Sequence, residues 1–237
     1  MELKGKTVVL TGASAGIGAA TALDLSRAGC NLVLTSRRLE KLEALAATLP
    51  GPSALLAADI AEPDVPEQLL ALAKARFGRA DVVINNAGVM AVGTIDTIDL
   101  DAVSYMIRVN FEAVVRSSYV FAREFRGQSS GAIINVSSIS AYLISRAGGV
   151  YGGLKHALEA FTQSLRIELA GAGVKVGSIA PGSTSSEMFD RMMAAAKIED
   201  PVALDPEDIA RAIRYMLEQP DHATIARLAI YPQSEAH

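Results

Sequence analysis

One cysteine, Cys30, stands in 237 residues, and that scarcity excludes an internal disulfide framework. Set just before an apolar run, it reads as a small buried hydrophobe. Histidine is as sparse: His156, His222 and His237 lie apart without the spacing of a ligand set, so no metal site is expected. The net charge is -4, and no basic cluster or interleaving of basic with aromatic residues offsets it, which argues against a nucleic-acid surface. Long apolar runs are missing too. The uncharged stretch 127–145 is broken by Asn135 and several serines, so it fails as a membrane span. Residues 1–6 hold no apolar segment of signal length, and the expected compartment is the cytoplasm. No internal repeat, low-complexity tract or linker interrupts the chain.

What the chain does have is apolar mass: 50% of it is hydrophobic, enough for a large core in one domain spanning residues 1–237. Short apolar runs alternate with helical periodicity from end to end, the pattern of a parallel sheet covered by helices on both faces. Strands are predicted over residues 7–10, 31–35, 53–58, 81–84, 132–136 and 174–180, with a last short one within 222–232. Helices are predicted over 19–28, 39–48, 64–77, most of 101–126, and 151–169. A final helix starts at Pro206 behind the cap Asp205 and ends near Glu218.

Three strand ends in the first half of the chain carry chemistry. The first runs into Thr11-Gly12-Ala13-Ser14-Ala15-Gly16-Ile17-Gly18, a glycine-rich turn opening a helix. Such a turn lets backbone approach a pyrophosphate, whose charge is stabilised by the helix N-terminus. The second strand ends at Ser36-Arg37-Arg38 where an NAD site would usually offer a carboxylate. A guanidinium suits a phosphate instead, so NADP(H) is preferred over NAD(H), with Arg37 the first choice for the 2'-phosphate. The fourth ends at Asn85-Asn86-Ala87-Gly88, turn chemistry placed where open α/β sheets bind ligands.

The fifth predicted strand breaks into Ser137, Ser138 and Ser140, and beyond a Gly148-Gly149 loop comes Tyr151-Gly152-Gly153-Leu154-Lys155. Helical spacing stacks Tyr151 and Lys155 on one face. An ammonium beside a phenol favours the phenolate, which would make Tyr151 a proton donor and acceptor near neutral pH. Such a pair arises on many helices, and it is the motifs upstream that single this one out.

Together, Thr11-Gly12-x-x-x-Gly16-x-Gly18, Asn85-Asn86-Ala87-Gly88, Asn110, Ser138 and Tyr151-x-x-x-Lys155 resemble the motif set of the compact short-chain dehydrogenase/reductase family, in order and over nearly the whole chain. The resemblance implies a Rossmann-like, doubly wound, mainly parallel seven-stranded sheet with helices on both faces. It implies that Tyr151 is the acid/base, that Ser138 holds the substrate oxygen, and that Lys155 binds the nicotinamide ribose and lowers the Tyr151 pKa. Asn110 would fix a water linking that lysine to solvent. It assigns Gly12 to Gly18 to the pyrophosphate, Asp59 and Ile60 to the adenine side, and Asn86, with Ala87 and Gly88, to the adenosine ribose region. The Pro181-Gly182-Ser183-Thr184-Ser185-Ser186 segment is similar to one that lies over the nicotinamide, with Ser186 where the family has threonine. Leu154 and Gly153 also depart from the usual serine and alanine.

By the same likeness residues 183–204 form a substrate lid. Met188, Phe189 and Met192 on it, with Met90, Ile139, Leu143, Ile144 and Val150, would wall a pocket with little charge. The expected substrate is a neutral ketone or aldehyde, or the matching alcohol. The resemblance also implies a homodimer or homotetramer. One rival is a 3-hydroxy acid or 3-hydroxy amino acid dehydrogenase, for which Arg146 is the cation near the site; Tyr231 and Gln233 depart from that subgroup's usual arginine and threonine. A rival of another class is a non-catalytic nucleotide-sensing protein.

Overall fold

A computed structural model of the protein describes residues 1–144, 147–196 and 202–234. The chain runs β1 (Thr7–Thr11), α1 (Gly16–Arg27), β2 (Asn31–Ser36), α2 (Leu39–Ala46), β3 (Ser53–Ala57), α3 (Val65–Phe77), β4 (Val82–Asn85) and α4 (Leu100–Ile107). A π turn (Arg108–Glu112) leads into α5 (Ala113–Gln128), followed by β5 (Gly131–Val136), a single 3-10 turn (Ile139–Ala141) and α6 (Gly149–Glu168). The last elements are β6 (Val174–Pro181), α7 (Glu187–Ala196), α8 (Pro206–Glu218) and β7 (Arg227–Ile230).

The strands form one seven-stranded sheet in the order β3-β2-β1-β4-β5-β6-β7. Every pairing is parallel, from Thr7 opposite Asn31 to Pro181 opposite Ile230. The expected doubly wound architecture is therefore what forms, and its last strand adds in parallel as well. Side-chain alternation splits the core into two layers. Val8, Leu10, Leu32, Leu34 and Ile84 face one side with Leu25 of α1 and Ile209 and Ile213 of α8. Val9, Val33, Val83 and Ile133 face the other with Leu69 of α3, Phe121 and Phe125 of α5, and Leu165 of α6. Cys30 is fully buried in the first layer, its thiol 3.3 Å from the Leu3 carbonyl, and burial raises its pKa to about 11.

Chain order reverses direction between β1 and β4, which leaves a crevice beyond their carboxyl ends. The helix predicted across 101–126 is broken there. Ala113 donates to the Arg108 carbonyl, a bond one residue longer than the α pattern, so one residue is inserted into the turn that carries Asn110. Below the crevice, Asn85 donates to Asn135 Oδ1 at 2.9 Å and to Ser118 Oγ at 3.2 Å, and Asn135 donates to Thr162 Oγ1 at 2.8 Å. All four side chains are buried, so these bonds tie β4, β5, α5 and α6 together at fixed spacing beneath the crevice.

Candidate active site

The glycine-rich turn is shaped by what cannot fit beside it. A Cβ on Gly12, whose φ is 67°, would lie 2.7 Å from the Ala87 Cα, and one on Gly18 would lie 2.2 Å from the Gly12 carbonyl. Neither neighbour can give way, because both are backbone. Thr11 and Asn86 lock this contact. The Thr11 hydroxyl accepts from the Asn86 and Ala87 amides at 3.0 Å each, while the Asn86 side-chain amide donates to the Thr11 and Gly12 carbonyls at 2.9 and 3.1 Å. The Asn86 side-chain nitrogen is thus engaged in bracing the turn.

At the end of β5, Ser138 caps the 3-10 turn, its hydroxyl accepting from the Ser140 amide at 3.1 Å. The same hydroxyl is the polar neighbour that acts on the ionisation of Tyr151, in the first turn of α6, favouring its phenolate. One turn further along, the Lys155 ammonium donates to the Val136 carbonyl at 2.9 Å and lies 5.7 Å from the centre of the Tyr151 ring. Burial lowers the Lys155 pKa to about 8, against the raising influence of Glu159. The expected depression of the Tyr151 pKa by Lys155 does not appear. Burial raises it, with Ser138 as the counterweight.

Asn110, fully buried in the π turn, spends both ends of its amide on one backbone unit. It accepts from the Val89 amide at 2.9 Å and donates to the Val89 carbonyl at 2.7 Å. Its side chain therefore pins the strand exit that follows Gly88.

The two arginines after β2 diverge. Arg37 donates to the Tyr105 hydroxyl at 2.9 Å, and that hydroxyl donates to Asp59 Oδ2 at 2.8 Å. Arg37 and Arg108 also lie against the Tyr105 ring, 5.6 and 5.7 Å from its centre. Burial and Asp59 raise the Tyr105 pKa. Arg38 turns instead to the glycine-rich turn, donating to Ser14 Oγ at 2.9 and 3.3 Å. Its remaining nitrogen meets Glu187 Oε2 at 2.8 Å, and Lys41 meets Glu187 Oε1 at 2.6 Å.

The model of the short chain dehydrogenase family matches residues 6–197. The chain belongs to that family. An uncharacterized oxidoreductase of Staphylococcus saprophyticus is 34% identical, with 99% of each chain covered. Among solved structures, a metagenomic short-chain oxidoreductase in complex with NADP superposes with a TM-score of 0.85 at 30% identity, covering 99% of this chain and 100% of that one. The closed form of a serine dehydrogenase complexed with NADP+ gives 0.89 at 27% identity, covering 98% and 96%.

In this short-chain dehydrogenase two clefts open beside Tyr151. One, of about 260 Å³, is lined by Leu143, Ile144, Gly148, Gly149, Gly152, Gly153 and His156. The other, of about 570 Å³, is lined by Ala91, Gly93, Thr94, Ile95, Asp96, Ile98, Ala147, Gly149 and Val150. Of the residues predicted to wall a pocket, Leu143, Ile144 and Val150 line these clefts; Met90, Ile139, Met188, Phe189 and Met192 do not, and Phe189 is buried. Ser138 and Tyr151 line neither cleft. Ser186 caps α7, accepting from the Phe189 amide at 3.1 Å, and Thr184 donates to the Gly182 carbonyl at 2.9 Å. Arg146 and residues 197–201 of the expected lid lie outside the described residues. Tyr105, Lys41, Glu187 and Glu159 were not anticipated as site residues. Of these only Tyr105 carried a signal, its place on the apolar stripe of the helix that delivers Asn110.

Proposed function

We propose that this oxidoreductase interconverts a ketone or aldehyde carbonyl and an alcohol with NADP(H), using Tyr151 as acid and base. The observation that carries the reading is the grouping of Ser138, at the carboxyl end of β5, with Tyr151, whose phenolate it favours, and the Lys155 ammonium one helical turn away, 5.7 Å from the centre of the Tyr151 ring. A dinucleotide fits the remaining features. The glycine turn leaves no side chain between backbone and a pyrophosphate, and Arg38, Lys41 and Ser14 converge where a 2'-phosphate would be held. Arg38 is better placed for that phosphate than Arg37, whose exposed guanidinium is occupied by Tyr105. Two similar proteins were crystallised with NADP or NADP+, which favours the same preference.

When bound, the nicotinamide exchanges a hydride with the carbonyl carbon. In reduction Ser138 steadies the oxygen as it gathers charge, and Tyr151 gives it a proton; in oxidation Tyr151 takes that proton back. Lys155, freed from the Val136 carbonyl by ribose hydroxyls, would then favour the Tyr151 phenolate. The protein would act as a cytoplasmic homo-oligomer, a reading supported by exposed Tyr119 on α5 and Ile167 on α6. Among the described residues no helix is long and apolar enough to cross a membrane.

The test follows NADPH and NADH absorbance against ketones, aldehydes and 3-keto acids. NADPH-dependent reduction of neutral carbonyls is expected. A strong NADH preference would overturn the cofactor assignment, and turnover restricted to keto acids would favour the hydroxy acid reading.

A further inference from the structure

Glu187 opens α7, yet its carboxylate is not spent on that helix alone. It reaches the far side of the crevice, with Oε2 on Arg38 at 2.8 Å and Oε1 on Lys41 at 2.6 Å. Arg38 simultaneously holds Ser14 of the glycine-rich turn. The preceding residue, Ser186, lies so near the same turn that a Cβ on Gly16 would come within 3.2 Å of its own Cβ. A single anion from the expected lid thus sits among the cations and hydroxyl that the cofactor reading assigns to the 2'-phosphate. The two cations draw the Glu187 pKa down to about 2, so it is ionised at any working pH.

We infer that Glu187 is an internal stand-in for the 2'-phosphate, a specificity residue that a phosphorylated cofactor must displace and that holds the N-terminus of α7 down until it does. The inference rests on the NADP(H) reading. A phosphate dianion carries more charge and more acceptor oxygens than a carboxylate, so it takes over Arg38 and Lys41 and repels Glu187. The displacement is feasible because the ion pairs are half-exposed, with side chains 36%, 44% and 44% accessible, and such pairs hold weakly. A cofactor without the phosphate leaves the latch in place. Glu187 therefore couples the adenosine end of the crevice to the segment over its other end.

The experiment measures calorimetric affinity for 2',5'-ADP and for 5'-AMP in the wild type, Glu187→Gln and Arg38→Gln, with hydrogen exchange of α7 in the wild type. Glu187→Gln is expected to tighten 2',5'-ADP roughly fourfold, the scale of an exposed ion pair, without changing 5'-AMP. Exchange in the first turns of α7 should rise with 2',5'-ADP and not with 5'-AMP. If the wild type prefers 2',5'-ADP and Arg38→Gln removes the preference, the cofactor reading stands. With that in hand, Glu187→Gln binding no tighter, or α7 exchange unchanged, overturns the latch. If the wild type binds both nucleotides equally, the cofactor reading fails and the latch falls with it.

Discussion

At the scale of single residues, the site is a compromise between burial and charge. Lys155 is 5% exposed and carries its ammonium into a place where burial brings its pKa from 10.5 to about 8. The unfolded chain keeps that proton until about pH 10.5, so between the two values it binds more protons than the folded protein, and stability rises with pH. Lys155→Met removes this slope. The wild type should gain on the variant by about 2 kcal/mol between pH 8 and pH 10 in denaturant melts, and show no change in the difference below pH 7. Cys30 has the opposite slope, its pKa being raised to about 11, but it is common to both proteins and cancels. A difference that shrinks over that window would refute the buried ammonium. The motif spacing made Ser138, Tyr151 and Lys155 legible as a set. It could not disclose that the ammonium donates to the Val136 carbonyl, because a backbone acceptor has no signature in side-chain identity.

At the scale of elements, the site depends on irregularities more than on regular structure. The π turn inserts a residue between α4 and α5 and brings Asn110 onto both polar groups of Val89. Asn110→Ala would deprive a part-buried amide and carbonyl of their partner, so we expect a loss of about 1–2 kcal/mol in urea melts together with impaired turnover. A stability loss under about 0.5 kcal/mol would mean that the Val89 segment is held by something else. Apolar periodicity reported a helix across this region but could not report the extra residue, since a single π turn perturbs the pattern by less than one position. The strands, by contrast, were readable almost to their ends, because each is a short apolar run closed by a turn residue.

At the scale of the molecule, an all-parallel sheet sends the carboxyl ends of β1 to β6 to one edge, and the glycine-rich turn, Arg38, Asn86 and Ser138 all follow strand ends there. Sequence order gave the parts but not the long-range pairings across them. Arg38 and Lys41 meet Glu187 from the other end of the chain, and Tyr105 joins Arg37 to Asp59. Such pairings depend on how layers close, which no local pattern encodes. In the proposed NADP(H) reading they favour Arg38 over Arg37 for the 2'-phosphate. The central claim is that the Tyr151 hydroxyl moves the proton while the fold holds the cofactor independently of it, and stopped-flow mixing of Tyr151→Phe with NADPH and a reducible carbonyl tests both halves at once. The account predicts NADPH binding with wild-type affinity and turnover reduced at least about a thousandfold; oxidation of NADPH at the wild-type rate would contradict it.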